Sequence, residues 1–147
     1  MTAAPTVRIR HVEEYRFLVD FGPPLAELLV DEAPPIGRGD GPFPEQLLMA
    51  GVTNCLVASM VFALGKFRQD ARGVTAEARC EIGRNAEGRL RIDAIEVAIE
   101  LGAEASEMDR IDRVIDQFER FCTVSESVKR GIPVSVSVRD GAGQRLK

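Results

Sequence analysis

The sequence contains a single histidine, His11, and only three cysteines, Cys55, Cys80 and Cys122. Metal sites usually combine several histidine, cysteine or carboxylate ligands, and here no two cysteines lie at ligand spacing. We therefore expect no metal and no other cofactor, and we interpret His11 as a surface residue of a strand. An odd and small number of cysteines also argues against a disulfide scaffold.

The chain also lacks a strong charge of either sign. Its 19 basic and 23 acidic residues are mixed along the sequence and leave a net charge of −4. Without a basic stripe, nucleic acid is not an expected partner. The first 16 residues are too polar and charged for the apolar region of a secretory signal. We therefore expect a cytoplasmic protein, in which reducing conditions keep cysteines as thiols.

One uncharged run, residues 47–65, is about as long as a membrane span. Thr53, Asn54 and Ser59 interrupt it, and charged sequence lies on both sides. We therefore predict no membrane span. We predict instead a helix that begins near Pro44 and ends near Gly65. A helix that is apolar all round is normally buried at the centre of a protein, so a second subunit is expected to help cover it.

The remaining pattern predicts an α+β fold, because the strands come in groups instead of alternating with helices. Strands are predicted in residues 6–21, 27–31, 74–82, 90–101 and 132–138, and helices are predicted from Ser106 and from Thr123. Cys80 shares the inward parity of its strand, and the parity of the next strand switches after Ala94, which suggests a bulge. A length of 147 residues suits one domain, residues 1–147, with a loose tail after about residue 140.

Two segments carry a resemblance to a known family. The first is PEQLL at residues 44–48, with Cys55 ten positions after Glu45. The second is FCTVS at residues 121–125, followed by GIPV at residues 131–134. Together they resemble the two motifs of the OsmC/Ohr family, the osmotically inducible and organic hydroperoxide resistance proteins. The resemblance covers about residues 7–138, and Thr123 stands where many members have proline.

The resemblance implies a fold of antiparallel sheets around a long central helix, in an intertwined homodimer. It also implies a thiol-dependent peroxidase that reduces organic hydroperoxides to alcohols, with Cys55 as the peroxidatic cysteine and Cys122 as the resolving cysteine. In such a cycle a thiolate attacks the O–O bond and becomes a sulfenic acid, which condenses with a second thiol to a disulfide. An external dithiol then reduces the disulfide.

Cys55 must be deprotonated to react, and an apolar position within a helix opposes this, because burial disfavours the charged form. In the family an arginine supplies the positive charge and is held by the glutamate that corresponds to Glu45. Arg16 is the leading candidate here, with Arg10 and Arg38 as alternatives. Ten helical residues rise about 15 Å. The arginine must therefore bridge Glu45 and Cys55, or the partner chain must contribute.

Apolar residues of the helices are expected to line the substrate pocket and to favour organic hydroperoxides over hydrogen peroxide. The residues predicted for this role are Leu48, Val52, Phe62 and Phe118. The alternative hypothesis is a non-catalytic dimer of the same fold that binds an apolar ligand or senses redox state. It follows from the fact that a cysteine in a buried helix usually packs as a small apolar residue.

Overall fold

A computed structural model describes residues 3–131, 137 and 139 of the chain. The strands and helices in chain order are β1 (Arg8–Glu13), β2 (Arg16–Asp20), β3 (Leu28–Val30), α1 (Pro44–Lys66), β4 (Val74–Arg84), β5 (Leu90–Leu101), α2 (Ile111–Gln117) and α3 (Thr123–Val128). This order confirms the predicted α+β fold with a long helix. The predicted strand at 132–138 and the tail after 140 lie almost entirely outside the described residues.

The chain forms two compact units, each assembled from two separate stretches. The first unit comprises Met1–Thr53 and Ala76–Ile99, and the second comprises Asn54–Thr75 and Glu100–Lys147. That the whole chain is a single domain remains a prediction.

In the first unit, β1, β2 and β3 form an antiparallel sheet in that order. Every residue of β1 is exposed, as suits a charged strand at a sheet edge. Val19 of β2 and Val30 of β3 are 4% and 8% exposed and belong to the core. The half-exposed sheet therefore agrees with the alternating pattern of the N-terminal sequence.

The loop between β3 and α1 is organised around Asp31, which is only 2% exposed. Its carboxylate accepts hydrogen bonds from the backbone amides of Glu32, Arg38 and Asp40 at 2.8, 3.0 and 3.1 Å. A side chain at Gly37 would collide with the carbonyl of Glu32, which explains glycine at this position. The proline- and glycine-rich segment at residues 32–43 is thus an ordered loop that leads into α1.

The hairpin of β4 and β5 turns at Asn85–Gly88, where asparagine and glycine in the sequence predict a turn. The amide of Gly88 donates to the carbonyl of Asn85 at 2.9 Å, and the Asn85 side chain accepts from the amide of Arg89 at 3.0 Å. In β5 the less exposed residues change parity between Ala94 and Ile95, as the sequence indicates. Cys80 lies on the less exposed parity of β4 but is only half-buried.

Helix α1 is buried along one side. The buried residues recur at intervals of three or four positions: Val52, Leu56, Ser59, Met60, Ala63 and Leu64. On other sides Leu48, Val61 and Phe62 keep 39%, 54% and 58% of their surface exposed. The helix is therefore not covered all round within the described part of the chain, and it presents exposed apolar side chains.

One of the two predicted helix starts was wrong. Residues Ala105–Glu107 form a 3-10 turn, closed by reciprocal capping between Glu104 and Glu107, so Ser106 does not begin the helix. Met108 is extended and 2% exposed, and it separates this turn from α2. The other start was correct, because α3 begins at Thr123, but the N-cap is Cys122 and not the Thr123 of the T-x-x-E pattern. The reason is that Cys122 is extended and its sulfur can accept a hydrogen bond.

Candidate functional site

Two cysteines from distant parts of the sequence meet in the second unit. Cys55 lies in α1 and is half-buried, while Cys122 is completely buried at the end of a 3-10 turn, Phe118–Phe121. Both are free thiols, and a hydrogen-bonding interaction with the Cys55 side chain lowers the pKa of Cys122. The arrangement places a more accessible thiol against an inaccessible one.

The segment before Cys122 is held against α1 by aromatic and polar contacts. The rings of Phe62 and Phe121 meet edge to face with centroids 5.1 Å apart. The ammonium of Lys66 lies 5.2 Å from the centroid of the Phe121 ring and donates to Gln117 at 3.3 Å. Because Phe121 immediately precedes Cys122, these contacts help to position the second sulfur.

The surroundings of Cys122 favour its ionised form. Burial raises the pKa of Cys122, but hydrogen-bonding interactions with Cys55, Ser125 and Ser59 outweigh burial and lower it below its usual value. The backbone amide of Ser125 donates to the sulfur at 3.4 Å.

Sequence reasoning missed Ser59 and Ser125, which are only 5% and 3% exposed. Their spacing from the two cysteines could nevertheless have indicated them. Ser59 comes one helical turn after Cys55, on the same side of α1. Ser125 comes three residues after Cys122, which is the spacing of a capping interaction.

A cavity of about 420 Å³ lies beside Cys122. Its wall includes Arg120, Phe121, Cys122, Thr123, Glu126 and Arg130. It contains none of the four apolar residues predicted to line the substrate pocket. The wall is largely polar and includes two arginines, so the opening beside Cys122 is suited to polar groups.

Arg16 and Glu45, predicted to support Cys55, both belong to the first unit. The guanidinium of Arg16 is 19% exposed, pairs with Glu13, and lies 3.3 Å from a carboxylate oxygen of Asp40. Its Nε is buried and has no hydrogen-bond partner in the described part of the chain. Within residues 3–131, Glu45 forms no ion pair.

The alternative arginines are likewise paired within the first unit. Arg10 lies 3.8 Å from Glu27, and Arg38 lies 3.0 Å from Glu14. The structure thus brings the two predicted cysteines together, but it joins none of the three candidate arginines to Glu45.

The predicted surface position of His11 is confirmed. It is exposed on β1, its ring nitrogen lies 2.9 Å from the carbonyl oxygen of Glu14, and its ring centroid lies 5.2 Å from that of Phe17. The described residues contain no group of three or more histidine, cysteine or carboxylate side chains arranged to hold a metal ion.

Comparison with known proteins supports one family. Residues 37–137 match the family model described as OsmC-like protein. By sequence, no curated protein matches the chain. The fold is similar to that of an OsmC-like protein from Mycoplasma pneumoniae, with a TM-score of 0.72, 15% identity, and coverage of 90% of this chain and 91% of that one.

Two structures named for hydroperoxide resistance are similar as well. The organic hydroperoxide resistance protein OsmC from Legionella pneumophila has a TM-score of 0.66 and 17% identity, over 88% of this chain and 93% of that one. OhrB of Bacillus subtilis has a TM-score of 0.63 and 18% identity, over the same shares. At these identities the structural likeness concerns the fold alone.

The family match extends over more than half of the sequence, so the chain belongs to the OsmC-like family. Helix α1 is long and apolar enough to cross a membrane by length and composition alone. Because one side of α1 lies in the protein core, we interpret it as a core helix.

Proposed function

We propose that the protein is a cysteine-based peroxidase that reduces organic hydroperoxides to alcohols. The observation that carries this proposal is the contact between the Cys55 thiol and the Cys122 sulfur. A sulfenic acid formed on one cysteine could condense with the other without a large rearrangement. A disulfide needs Cα atoms within about 7 Å, which cysteines in side-chain contact can satisfy.

The difference in exposure supports one assignment of the two roles. Cys55 is half-buried and Cys122 is 0% exposed, so a hydroperoxide reaches Cys55 more easily. We assign Cys55 as the peroxidatic cysteine and Cys122 as the resolving cysteine. An external dithiol, acting in the cytoplasm, completes the cycle. No metal or other cofactor takes part in the proposed chemistry.

Arg16 is proposed to stabilise the Cys55 thiolate, with Glu45 orienting the guanidinium. The observation in favour is that Arg16 is largely buried and that its Nε has no hydrogen-bond partner among the residues the structure describes. A buried, unpartnered donor is costly unless another group or state satisfies it. For Glu45 to orient the guanidinium, Arg16 would have to exchange its present partners, Glu13 and Asp40.

The active form is proposed to be a homodimer. Val61 and Phe62 on α1 are more than half exposed, and neighbouring exposed apolar side chains can mark an interface with a partner. A second copy of the chain would complete the burial that the apolar helix requires.

The enzyme proposal is tested by steady-state consumption of an organic hydroperoxide in the presence of a dithiol. We expect Cys55→Ser to abolish turnover, because the attacking sulfur is lost, and Cys80→Ser to retain it. Cys80 is the matched control because it is another half-buried cysteine of the same chain. Equal rates for the wild type and Cys55→Ser would rule out the peroxidase.

The second candidate is a non-catalytic dimer of the same fold that senses redox state or binds an apolar ligand. The observation that favours it is the ion pairing of Arg16, which holds the cation with Glu13 and Asp40 instead of Glu45. The two candidates differ in the response to one equivalent of hydroperoxide. Mass spectrometry should show rapid joint loss of the Cys55 and Cys122 thiols in an enzyme, with Cys80 still reduced, and slow unselective loss in the alternative.

A further inference from the structure

Ser125 contributes twice to the surroundings of Cys122. Its backbone amide donates to the sulfur at 3.4 Å, and its hydroxyl also lowers the pKa of Cys122. The residue is 3% exposed, so water does not compete for these interactions. Ser59 adds a second buried hydroxyl that favours ionisation of the same sulfur.

The hydroxyl of Ser125 is unusual because it is buried and makes no hydrogen bond of ordinary geometry among the described residues. A buried hydroxyl without a partner is costly, and alanine would remove the cost without changing the backbone. The hydroxyl lies near enough to the Cys122 sulfur to influence its ionisation. A neutral thiol is a weak acceptor, whereas an ionised partner strengthens a hydrogen bond and shortens it. The hydroxyl is therefore placed to engage when Cys122 carries negative charge.

We propose that Ser125, assisted by Ser59, is a positioning residue that stabilises the Cys122 sulfur as a thiolate in the two steps where this sulfur is charged. The inference rests on the proposed peroxidase function and extends it to residues that support the resolving cysteine. The inference also specifies that an external reductant attacks the Cys55 sulfur of the disulfide.

The first of these steps is disulfide formation. The Cys122 thiolate attacks the sulfur of the Cys55 sulfenic acid, so that the S–S bond forms and the S–O bond breaks. The hydroxide that leaves takes up a proton and becomes water. Donors that keep Cys122 ionised raise the fraction of protein able to react at neutral pH.

The second step is reduction of the disulfide by the external dithiol. Because Cys122 is completely buried, the incoming thiolate attacks the Cys55 sulfur. A mixed disulfide forms on Cys55, the original S–S bond breaks, and Cys122 leaves as a thiolate. The second thiol of the reductant then displaces Cys55, and the dithiol has supplied both electrons. A thiol with a lower pKa leaves faster, so the serine donors favour this direction of cleavage.

The inference is tested by titrating Cys122 as the only cysteine, in a chain carrying Cys55→Ala and Cys80→Ala. Thiolate formation is followed by ultraviolet absorbance, which needs no reagent to reach the buried sulfur. We expect Ser125→Ala to make Cys122 about tenfold less acidic, as for the loss of one hydrogen bond to a charged group. Ser125→Thr, which keeps the hydroxyl, should recover most of the acidity. Ser106→Ala, at an exposed serine of the same unit, should leave it unchanged.

A kinetic measurement complements the titration. In the otherwise native chain, disulfide formation after a hydroperoxide pulse should slow about tenfold in Ser125→Ala at neutral pH. The rate should recover as the pH is raised, because hydroxide then supplies the thiolate. A merely structural role for Ser125 would not give this pH-dependent recovery.

The outcomes distinguish failure of the proposed peroxidase function from failure of the proposed role of the serines. If the wild type consumes no hydroperoxide, the peroxidase is excluded, yet the titration still decides whether the serines stabilise the Cys122 thiolate. If Ser125→Ala does not fold, Ser59→Ala provides the same titration at the second hydroxyl. Unchanged acidity of Cys122 in the folded serine variants would overturn the inference.

Discussion

The sulfur of Cys122 accepts a hydrogen bond from the backbone amide of Ser125 at 3.4 Å and thereby caps α3. The residue assigned to redox chemistry is thus also the residue that begins a helix. A capping side chain satisfies one of the amides at a helix start that have no partner within the helix. Substitutions at Cys122 should therefore affect folding stability as well as activity, and the two effects can be separated.

We predict that Cys122→Ala lowers the free energy of unfolding by about 0.5–2 kcal/mol, as for the loss of a helix cap. Cys122→Ser should retain most of the stability, because a serine hydroxyl is a strong capping acceptor. Both variants should fail to form the disulfide with Cys55. Urea unfolding measures the stabilities, and equal values for the alanine and serine variants would contradict the capping role.

Asp31 should make folding stability depend on pH. Burial raises the pKa of Asp31, but hydrogen bonds from loop amides, led by that of Asp40, outweigh burial and hold it below its ordinary value. The pKa of such an Asp is lower in the folded protein than in the unfolded chain, where it is about 3.9. At pH values above the unfolded pKa, its contribution to stability is fully present. This contribution is lost as the pH falls through the folded pKa.

The measurement is urea unfolding at a series of pH values from neutral to acidic. The wild type should lose stability in the acidic range, and Asp31→Asn should lose less there because its side chain does not titrate. The variant should already be less stable at neutral pH, since an amide nitrogen replaces one accepting oxygen. Parallel pH curves for the two proteins would show that Asp31 is not the responsible group.

Thr123→Pro should be tolerated or stabilising. Thr123 is the first residue of α3, where proline removes no intrahelical hydrogen bond, and Cys122 before it is extended, as a residue preceding proline must be. We expect a gain of about 0.4–1 kcal/mol from reduced freedom of the unfolded chain.

Glu126→Pro is the matched control for this substitution. The Glu126 amide donates to the Cys122 carbonyl at 3.1 Å, so proline there should cost about 3 kcal/mol. Thermal unfolding compares both variants with the wild type. A destabilised Thr123→Pro would mean that Thr123 makes a contact the helix start requires.

The proposed homodimer can be tested at Val61, which is 54% exposed on α1. Val61→Asp should shift the protein towards the monomer, because a carboxylate buried in an interface loses its hydration. Ser106→Asp adds the same charge at an exposed serine and should leave the mass of the dimer in solution unchanged. Light scattering coupled to size-exclusion chromatography gives the masses. A wild type that is already monomeric would exclude the dimer.

Local patterns in the sequence predicted most of the secondary structure correctly. The uncharged run and Pro44 located α1, alternation located β4 and β5, and the turn residues at 85–88 located their hairpin. Helix starts in residues 104–123 were less predictable. Burial of Met108 interrupts the expected helix, and the sulfur of Cys122 competes successfully with the Thr123 hydroxyl as a cap. Where these helices begin depends on tertiary packing, about which a local sequence pattern carries no information.

The sequence by itself determined the family, the order of the strands and helices, and the two cysteines worth considering. Only the tertiary structure decided that the Cys55 thiol contacts the Cys122 sulfur, that Ser59 and Ser125 surround it, and that Arg16 pairs with acidic side chains of its own unit. The physical reason is that periodicity reflects interactions between neighbours in the chain. Contacts between residues 67 positions apart, as for these cysteines, depend on how the folded chain packs.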